Sequence, residues 1–476
     1  MLPATPQFEA ALEIIRTLRG AGHQACLAGG CVRDLLLGRT PGDYDVATSA
    51  TPGIVLDMFP RTFAVGAHFG VVLVAPEAED AKFVTEVATF RSDGAYSDGR
   101  HPDAVRYTTS PEEDVKRRDF TINGLLLDPL ADGRPILAAH SPEESSAKVR
   151  KHAGLLDYVG GVADLEAGII RAIGRPEQRF EEDHLRMLRA VRFAARFGFE
   201  LDTETLRAIR SLAPRIHAVS RERVRDELTK MLTEGHSRRA FELLDETRLL
   251  NEMLPEIVRM KGVAQPPQYH PEGDVWTHTL MLLEQLESGC SMTLAWGALL
   301  HDVGKPPTFR VAPDRIRFDG HVAVGVAMGA EICRRFRFSN DETRQILALI
   351  ENHMRFADAE RMKTSTLKRF FRLENFEEHL ALHRMDCMAA SRNLDHWNFV
   401  RERWLAMPEE TVRPKPLITG RELIDAGYTP GAGFREMLRA AEDAQLEGAV
   451  ATPEEALKLV EQKFGPPPGP RVPHGI

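Results

Sequence analysis

Leu27-Ala28-Gly29-Gly30-Cys31-Val32-Arg33-Asp34, followed shortly by Asp43-Tyr44-Asp45-Val46, decides the reading of this chain. An apolar run enters a paired-glycine turn and leaves as a helix. Paired glycines allow close backbone approach and expose amides to a phosphate. The helix start adds a favourable dipole for an anion. Arg33, in the first turn, is placed to fork onto phosphate oxygens. On a strand, residues i and i+2 share a face, so Asp43 and Asp45 point the same way. Two bare carboxylates that close repel unless a divalent cation bridges them. A solvated Asp-x-Asp turn is the plainer alternative. The spacing after Gly29-Gly30 and a third acid lift the metal reading above it. That acid is Glu86, in Thr85-Glu86-Val87-Ala88-Thr89. An acid inside such an apolar run needs a partner on its face. Three carboxylates around two Mg²⁺ ions are the usual apparatus of in-line nucleotidyl transfer.

Working outward, residues 7–19 predict an amphipathic helix, with Phe8, Leu12, Ile15 and Leu18 at helical spacing. Short apolar runs at 25–28, 71–75 and 84–88 predict a small sheet with helices. Residues 131–153 are polar and read as a loop or insertion. From about 165 the pattern is helical, punctuated by Pro214, Pro255 and Pro266-Pro267, with a break near 261–270. The last twelve residues hold five prolines and read as a frayed tail. The expected class is α+β and mostly helical. An N-terminal α/β head with a small mixed sheet precedes an all-α neck, a further helical domain and C-terminal helices. The expected spans are 1–164, 165–260, 261–405 and 406–476.

The 476 residues suggest roughly three domains. With 43% hydrophobic residues, full disorder is excluded. No run of about 18 apolar residues predicts a membrane span, and no secretory signal is visible at the start. Five scattered cysteines form no CxxC pair, which argues against a disulfide scaffold and fits a reducing cytoplasm. The net charge of −9 argues against a generic nucleic-acid coat, but not against an enzyme with a local basic groove. Arg171, Arg175, Arg179, Arg186, Arg189, Arg192 and Arg196 cluster within 26 residues.

Further motifs stand in order. The Gly29-Gly30 stretch with Asp43-x-Asp45 resembles the signature of class II tRNA nucleotidyltransferases, the CCA-adding enzymes and their bacterial poly(A) polymerase relatives. Arg117-Arg118-Asp119-Phe120-Thr121-Ile122-Asn123-Gly124 resembles the second family motif. The resemblance implies that Arg118, Asp119 and Asn123 bind ribose and triphosphate, alongside Gly29, Gly30 and Arg33. The family usually has Ala at the place of Gly124, which implies a mild packing change. Glu182-Asp183-His184-Leu185-Arg186 resembles the motif that reads the incoming base. At i and i+3 on a predicted helix, Asp183 and Arg186 share a face. An Asp accepts from an exocyclic amine and an Arg donates to ring acceptors, a pattern that suits C and A and not U or G. Arg189 and Arg192 resemble residues that reach the triphosphate. Ser220 to Lys230 resembles a neck motif of mainly structural role. Residues 91–107 look like the full-length flexible loop that A-adding members keep.

The second half carries His278, His301-Asp302, His321, His353 and Asp386. This order resembles the HD phosphohydrolase superfamily. Imidazole and carboxylate together suit Mn, Fe or Ni. The resemblance implies one metal held by His278, His301, Asp302 and Asp386, and a second built by His321 and His353. It also implies hydrolysis of 2′,3′-cyclic or 3′-phosphate RNA ends. His270 and His383 read as core or surface residues. The expected activity is CCA addition to tRNA from CTP and ATP with Mg²⁺, and no membrane partner. The rivals are a poly(A) polymerase or A-adding enzyme, a metal phosphohydrolase with an RNA-binding head, and a non-catalytic RNA-binding module. His68-Phe69-Gly70-Val71-Val72 resembles the CCA-adding pattern more than the basic run of bacterial poly(A) polymerases. The intact Asp43, Asp45, Arg118 and Asp183 speak against the second, and two complete metal sets against the third.

Overall fold

The opening amphipathic segment forms α1 (Pro6–Gly20), capped by Thr5, whose hydroxyl accepts from the Phe8 amide. It buries Phe8, Leu12, Ile15 and Leu18, the stripe that its periodicity predicts. The computed structural model describes residues 5–64, 70–76, 83–94, 104–131 and 152–467. The expectations on His68-Phe69, on the centre of the 91–107 loop, on nearly all of 131–153 and on the last nine residues lie outside the described residues. The chain divides into two units, residues 1–258 with 287–289, and residues 259–286 with 290–476.

In the first unit α1 leads to β1 (Ala25–Ala28), α2 (Gly30–Leu36), β2 (Val46–Thr48) and α3 (Pro52–Met58). Next come β3 (Thr62–Phe63), β4 (Val71–Val74), β5 (Thr85–Thr89) and a hairpin of β6 (Arg91–Asp93) and β7 (Val105–Tyr107). Then follow α4 (Pro111–Lys116), β8 (Leu126–Leu127) and β9 (Leu155–Leu156). Among the described residues, seven strands form one sheet in the order β3-β4-β5-β2-β1-β8-β9. Only β2 and β5 run parallel, so the sheet is mixed, as expected. Fully buried β1 lies near its centre, while β5 alternates, with Thr85, Val87 and Thr89 buried and Glu86 exposed.

The unit continues through α5 (Gly161–Ala167) to β10 (Ile169–Ile170), which pairs in parallel with β11 (Glu200–Leu201). Between them lie α6 (Pro176–Glu182) and α7 (Leu185–Phe197). After them come α8 (Thr203–Leu212), α9 (Arg221–Thr233), α10 (Ser237–Glu246), α11 (Leu249–Met253) and α12 (Pro255–Val258). Helix α7 buries Leu188, Val191 and Ala195 in the core. Its arginines recur at helical spacing and so share a stripe.

The second unit is helical. Its elements are α13 (Val275–Leu283), α14 (Met292–Leu300), α15 (Lys305–Thr308), the hairpin β12 (Arg310–Val311) and β13 (Ile316–Arg317), and α16 (His321–Arg335). They continue with α17 (Asn340–Asn352), α18 (Thr364–Phe371), α19 (Phe376–Ala389), α20 (Asp395–Ala406), α21 (Glu409–Val412), α22 (Gly420–Asp425), α23 (Gly433–Glu447) and α24 (Pro453–Phe464). Ser365 and Arg369 on α18 bond Glu447 and Glu442 on α23, which ties the last helices to this unit. Among the described residues, no helix is long and apolar enough to cross a membrane.

Candidate active site and candidate metal centre

Cleft of the first unit. Twelve of the head residues singled out from sequence line one cleft of about 600 Å³: Gly29, Gly30, Arg33, Asp43, Asp45, Arg118, Asp119, Asn123, Asp183, Arg186, Arg189 and Arg192. Glu86 is outside its lining. It is nonetheless beside Asp45, because the parallel register pairs Val46 with Val87 and brings the preceding residues of β2 and β5 together. Asp43 and Asp45 lie in the extended stretch just before β2 rather than within it. Buried Tyr44 between them packs on Phe8 and turns both acids to the same side. Eight arginines and four aspartates line the cleft, so a chain of net negative charge carries a locally basic site.

The turn at Gly29 explains its glycine. Its φ is +72°, and a Cβ there would come within 2.9 Å of the Arg118 Nη1. A side chain would displace the arginine that the turn positions. Arg118 is held from behind by Asp114 at 3.0 Å. A buried polar chain then crosses the cleft floor. Arg33 Nη1 donates to Asn123 Oδ1 at 2.6 Å, Asn123 Nδ2 donates to Asp119 Oδ1 at 3.0 Å, and Arg189 Nε donates to Asp119 Oδ2 at 2.8 Å. Burial alone would raise the Asp119 carboxyl. The Arg189 charge and the Asn123 amide overcome it and hold the group down at about 2. Arg33 also stacks on Phe197 at 4.5 Å. These groups are fixed before any ligand arrives.

Asp45 differs. Burial, then the charges of Glu86 and Asp43, push its carboxyl up to about 7, with Arg118 opposing. The cleft concentrates negative charge at one point, which is what a divalent cation relieves. Donor sets tight enough for a single ion on their own occur among the described residues only in the second unit.

Two sequence expectations need correction. Asp183 is not on a helix with Arg186. It is the extended residue after α6, and its Oδ1 accepts from the Leu185 amide at the start of α7. A short side-chain acceptor at that junction competes with helix continuation. Arg186 bonds Glu182 at 2.5 Å, and Asp183 is bonded by Arg223 at 2.7 Å, from α9. The neck motif, read as mainly structural, therefore reaches into the cleft. Arg192 lines the cleft, yet its guanidinium is engaged with Glu227 at 2.7 Å and with Glu234. Arg117, Arg196 and Arg223 are lining residues that the motif reading did not single out. The signal for Arg196 was its place in the arginine cluster. The signal for Arg223 was its place in the neck motif, whose role was read as structural. Gly124 is glycine because a Cβ would meet Val159, Val115 and Ile173 at 2.8–3.2 Å.

Metal centre of the second unit. His278, His301 and Asp386 present one donor atom each within 4.8 Å of one another, and Asp302, His321 and His353 do the same. Asp302 lies between the sets, with Oδ2 at 3.2 Å from His301 Nε2 and Oδ1 at 3.8 Å from His353 Nε2. Asp302 Oδ1, His321 Nε2 and His353 Nε2 are buried without a hydrogen-bond partner among the described residues. Three converging orphaned donors are what a cation satisfies, so the donor set fits a metal ion. The rings are oriented for it: His301, His321 and His353 turn Nδ1 to the carbonyls of Ala298, Phe318 and Ile350 at 2.7–2.9 Å. Burial pushes His353 down to about 4, which keeps it neutral. Burial would also lower His278, but its bonds to Asp386 and Glu272 raise it to about 9. Lys305 at 2.7 Å and His301 hold Asp302 ionised despite its burial. Lys305, Glu272 and a partnered His270 were not anticipated as parts of this centre.

Residues 25–171 match the poly A polymerase head domain model. Residues 198–260 match the model described as the probable RNA and SrmB-binding site of polymerase A, and residues 274–390 match the HD domain. Over 244 residues the chain is 42% identical to the CCA-adding enzyme of Geobacillus thermodenitrificans, covering 51% of this chain and 54% of that protein. Over 282 residues it is 37% identical to the CCA-adding enzyme of Lactobacillus helveticus, covering 58% and 64%. In these alignments the chain spans about half the length of the curated relatives it matches. The fold is similar to the crystal structure of the Bacillus stearothermophilus CCA-adding enzyme in complex with CTP. The TM-score is 0.70 at 27% identity, over 96% of this chain and 98% of that one. A head and an HD domain of these kinds imply the use of divalent metal ions. In its head, neck and fold the chain is similar to class II tRNA nucleotidyltransferases, and its second unit matches an HD domain.

Proposed function

We propose that this protein adds CMP and AMP to the 3′ end of tRNA, without a template, from CTP and ATP, releasing pyrophosphate, and that it works in the cytoplasm. One observation carries the reading: a single basic cleft gathers the crowded carboxylates, the glycine turn and the Asp183–Arg186 pair. Asp43 and Asp45, with Glu86 alongside, are the residues to hold Mg²⁺. When bound, the ion supplies charge stabilisation to the reacting phosphate and its attacking hydroxyl. Mg²⁺ commonly takes one or two carboxylates plus substrate phosphate oxygens, which suits acids that form no closed cluster of their own. Gly29, Gly30, Arg33 and Arg118 hold the triphosphate, and the Asp119–Asn123 chain orients the arginines around the sugar. Arg189 serves the triphosphate from α7, with Arg192 behind it bracing that helix against α9.

Asp183 accepts from the exocyclic amine of C or A, and Arg186 donates to the ring acceptors. Arg223 fixes the Asp183 carboxylate for that contact. We divide the chain into a head to about 164, a base-reading and RNA-binding neck to 260, an HD domain to 405 and C-terminal helices. The neck and C-terminal helices hold tRNA by shape and backbone charge. The orphaned donors of the second unit favour a second activity there: hydrolysis of cyclic or terminal phosphates on RNA ends with Mn, Fe or Ni.

The test is nucleotide addition to end-labelled tRNA transcripts lacking CCA, ending in C or ending in CC. Growth by three nucleotides that then stops is the expected result. Single A addition to the CC end alone would make the protein an A-adding enzyme, and long A tails a poly(A) polymerase. No growth on any end would refute the proposal.

A further inference from the structure

We propose that Glu272 is a positioning residue of the second unit's metal centre, fixing the tautomer of His278. The proposal rests on the metal-centre reading above. Asp274 caps α13, accepting from the Thr277 amide at 2.8 Å and from the Gly262 amide at 2.6 Å. This pins the preceding turn against the helix, and Glu272 folds back with its side chain 3% exposed. Its Oε1 accepts from His278 Nδ1 at 2.7 Å and from His270 Nδ1 at 2.8 Å.

An ionised carboxylate only accepts hydrogen bonds, so the proton of His278 stays on Nδ1. Without a cation the Asp386 carboxylate, 3.0 Å away, holds a proton on Nε2 as well; because Glu272 retains the Nδ1 proton, it is Nε2, also 3.4 Å from His301 Nε2, that gives up its proton and offers its lone pair when an ion binds. The other three imidazoles reach the same result differently. Each turns Nδ1 to the backbone carbonyl three residues earlier. His278 sits one turn inside α13, where the carbonyl three residues earlier, that of Val275, already accepts from the Thr279 hydroxyl at 2.9 Å. A side-chain acceptor takes over, and a carboxylate makes the ring more basic than a carbonyl does.

On this assignment His270, Glu272 and His278, whose donor atoms also lie within 4.8 Å, form a hydrogen-bond relay instead of a third ion site. Both Nδ1 atoms there are committed as donors to one oxygen. Glu272 thus separates a hydrogen-bond relay from the metal sites.

The experiment counts Mn²⁺ bound to the full chain by paramagnetic resonance. The parent carries Asp43→Ala and Asp45→Ala, which silences the head. Glu272→Ala is expected to weaken one Mn²⁺ site about 10–100-fold, the usual cost of losing an outer-shell partner. Glu272→Gln keeps an oxygen acceptor and is expected to recover most of that loss. His270→Ala is expected to remain within about threefold of the parent, since the bond to His278 survives. If Glu272→Ala does not fold, judged by tryptophan fluorescence, Glu272→Asp replaces it in the comparison with Gln. Unchanged affinity in Glu272→Ala, or a Gln variant as weak as Ala, would overturn the proposal alone. A parent that binds no Mn²⁺ would overturn the metal-centre reading itself, and the proposal with it.

Discussion

Asp45 should destabilise the head whenever no cation is bound, and Asp45→Asn should relieve it. The carboxyl is pushed from 3.8 to about 7 by burial and by Glu86 and Asp43. A group whose folded value lies above its unfolded value binds more protons in the native state. The stability it contributes is present at low pH and lost as pH rises, here between about 4 and 7. Above pH 7 the full penalty is felt. At 1.36 kcal/mol per pH unit its ceiling is about 4 kcal/mol, and water entry with local relaxation brings it to about 2 kcal/mol. Asparagine has the same shape and no charge, so its gain should appear at pH 8 in EDTA and vanish near pH 4. Saturating Mg²⁺ should erase the gain at pH 8 too, because the cation then neutralises the wild-type carboxylate. The assay is hydrogen exchange of the β2 and β5 peptides. Tryptophan fluorescence is an internal control, since Trp276, Trp296, Trp397 and Trp404 all belong to the second unit. A variant no more protected than wild type at pH 8 in EDTA would refute the crowded-carboxylate account. Such a variant should also be inactive, a stability gain bought with function.

Separate chemistry in the two units predicts separable losses. Asp43→Ala should abolish nucleotide addition and leave RNA-end hydrolysis intact, and His301→Ala should do the reverse, both read on end-labelled transcripts. Arg223→Ala removes a charge-assisted bond to Asp183. It should lower kcat/KM for CTP and ATP about 10–100-fold while UTP and GTP stay poor substrates. A drop confined to kcat at unchanged KM would speak against a role in base reading. Gly124→Ala forces a methyl against Val159, Val115 and Ile173. It should cost about 1–3 kcal/mol in thermal unfolding of the head, and an unchanged transition would show that the three side chains give way freely.

What the sequence made legible was local. Gly29-Gly30, Asp43-x-Asp45 and the arginines of α7 each carry their geometry in covalent spacing, through a turn, a period of two and a period near four. The acid in an apolar run was legible only in part: Glu86 stands on the exposed alternation of β5 while its neighbours fill the core, so burial does not oblige it to find a partner. The misreading began where a side chain competes with the backbone. Asp183 looked helical by spacing, yet it ends α6 by bonding the Leu185 amide, so Asp183 and Arg186 stand at a junction instead of on one helical face.

The residues that were missed are those whose partners are remote or whose chemistry is supportive. Arg223 lies 40 residues from Asp183. Glu272 lies only six residues from His278, yet nothing in its spacing distinguishes it from a solvated loop acid. Its meaning comes from burial and from the orientation of a ring. Motifs therefore name the groups that meet substrate or metal, because those groups are constrained by chemistry. The groups that hold them are constrained by whichever element happens to pass nearby, as α9 does for Asp183 and the turn before α13 does for His278.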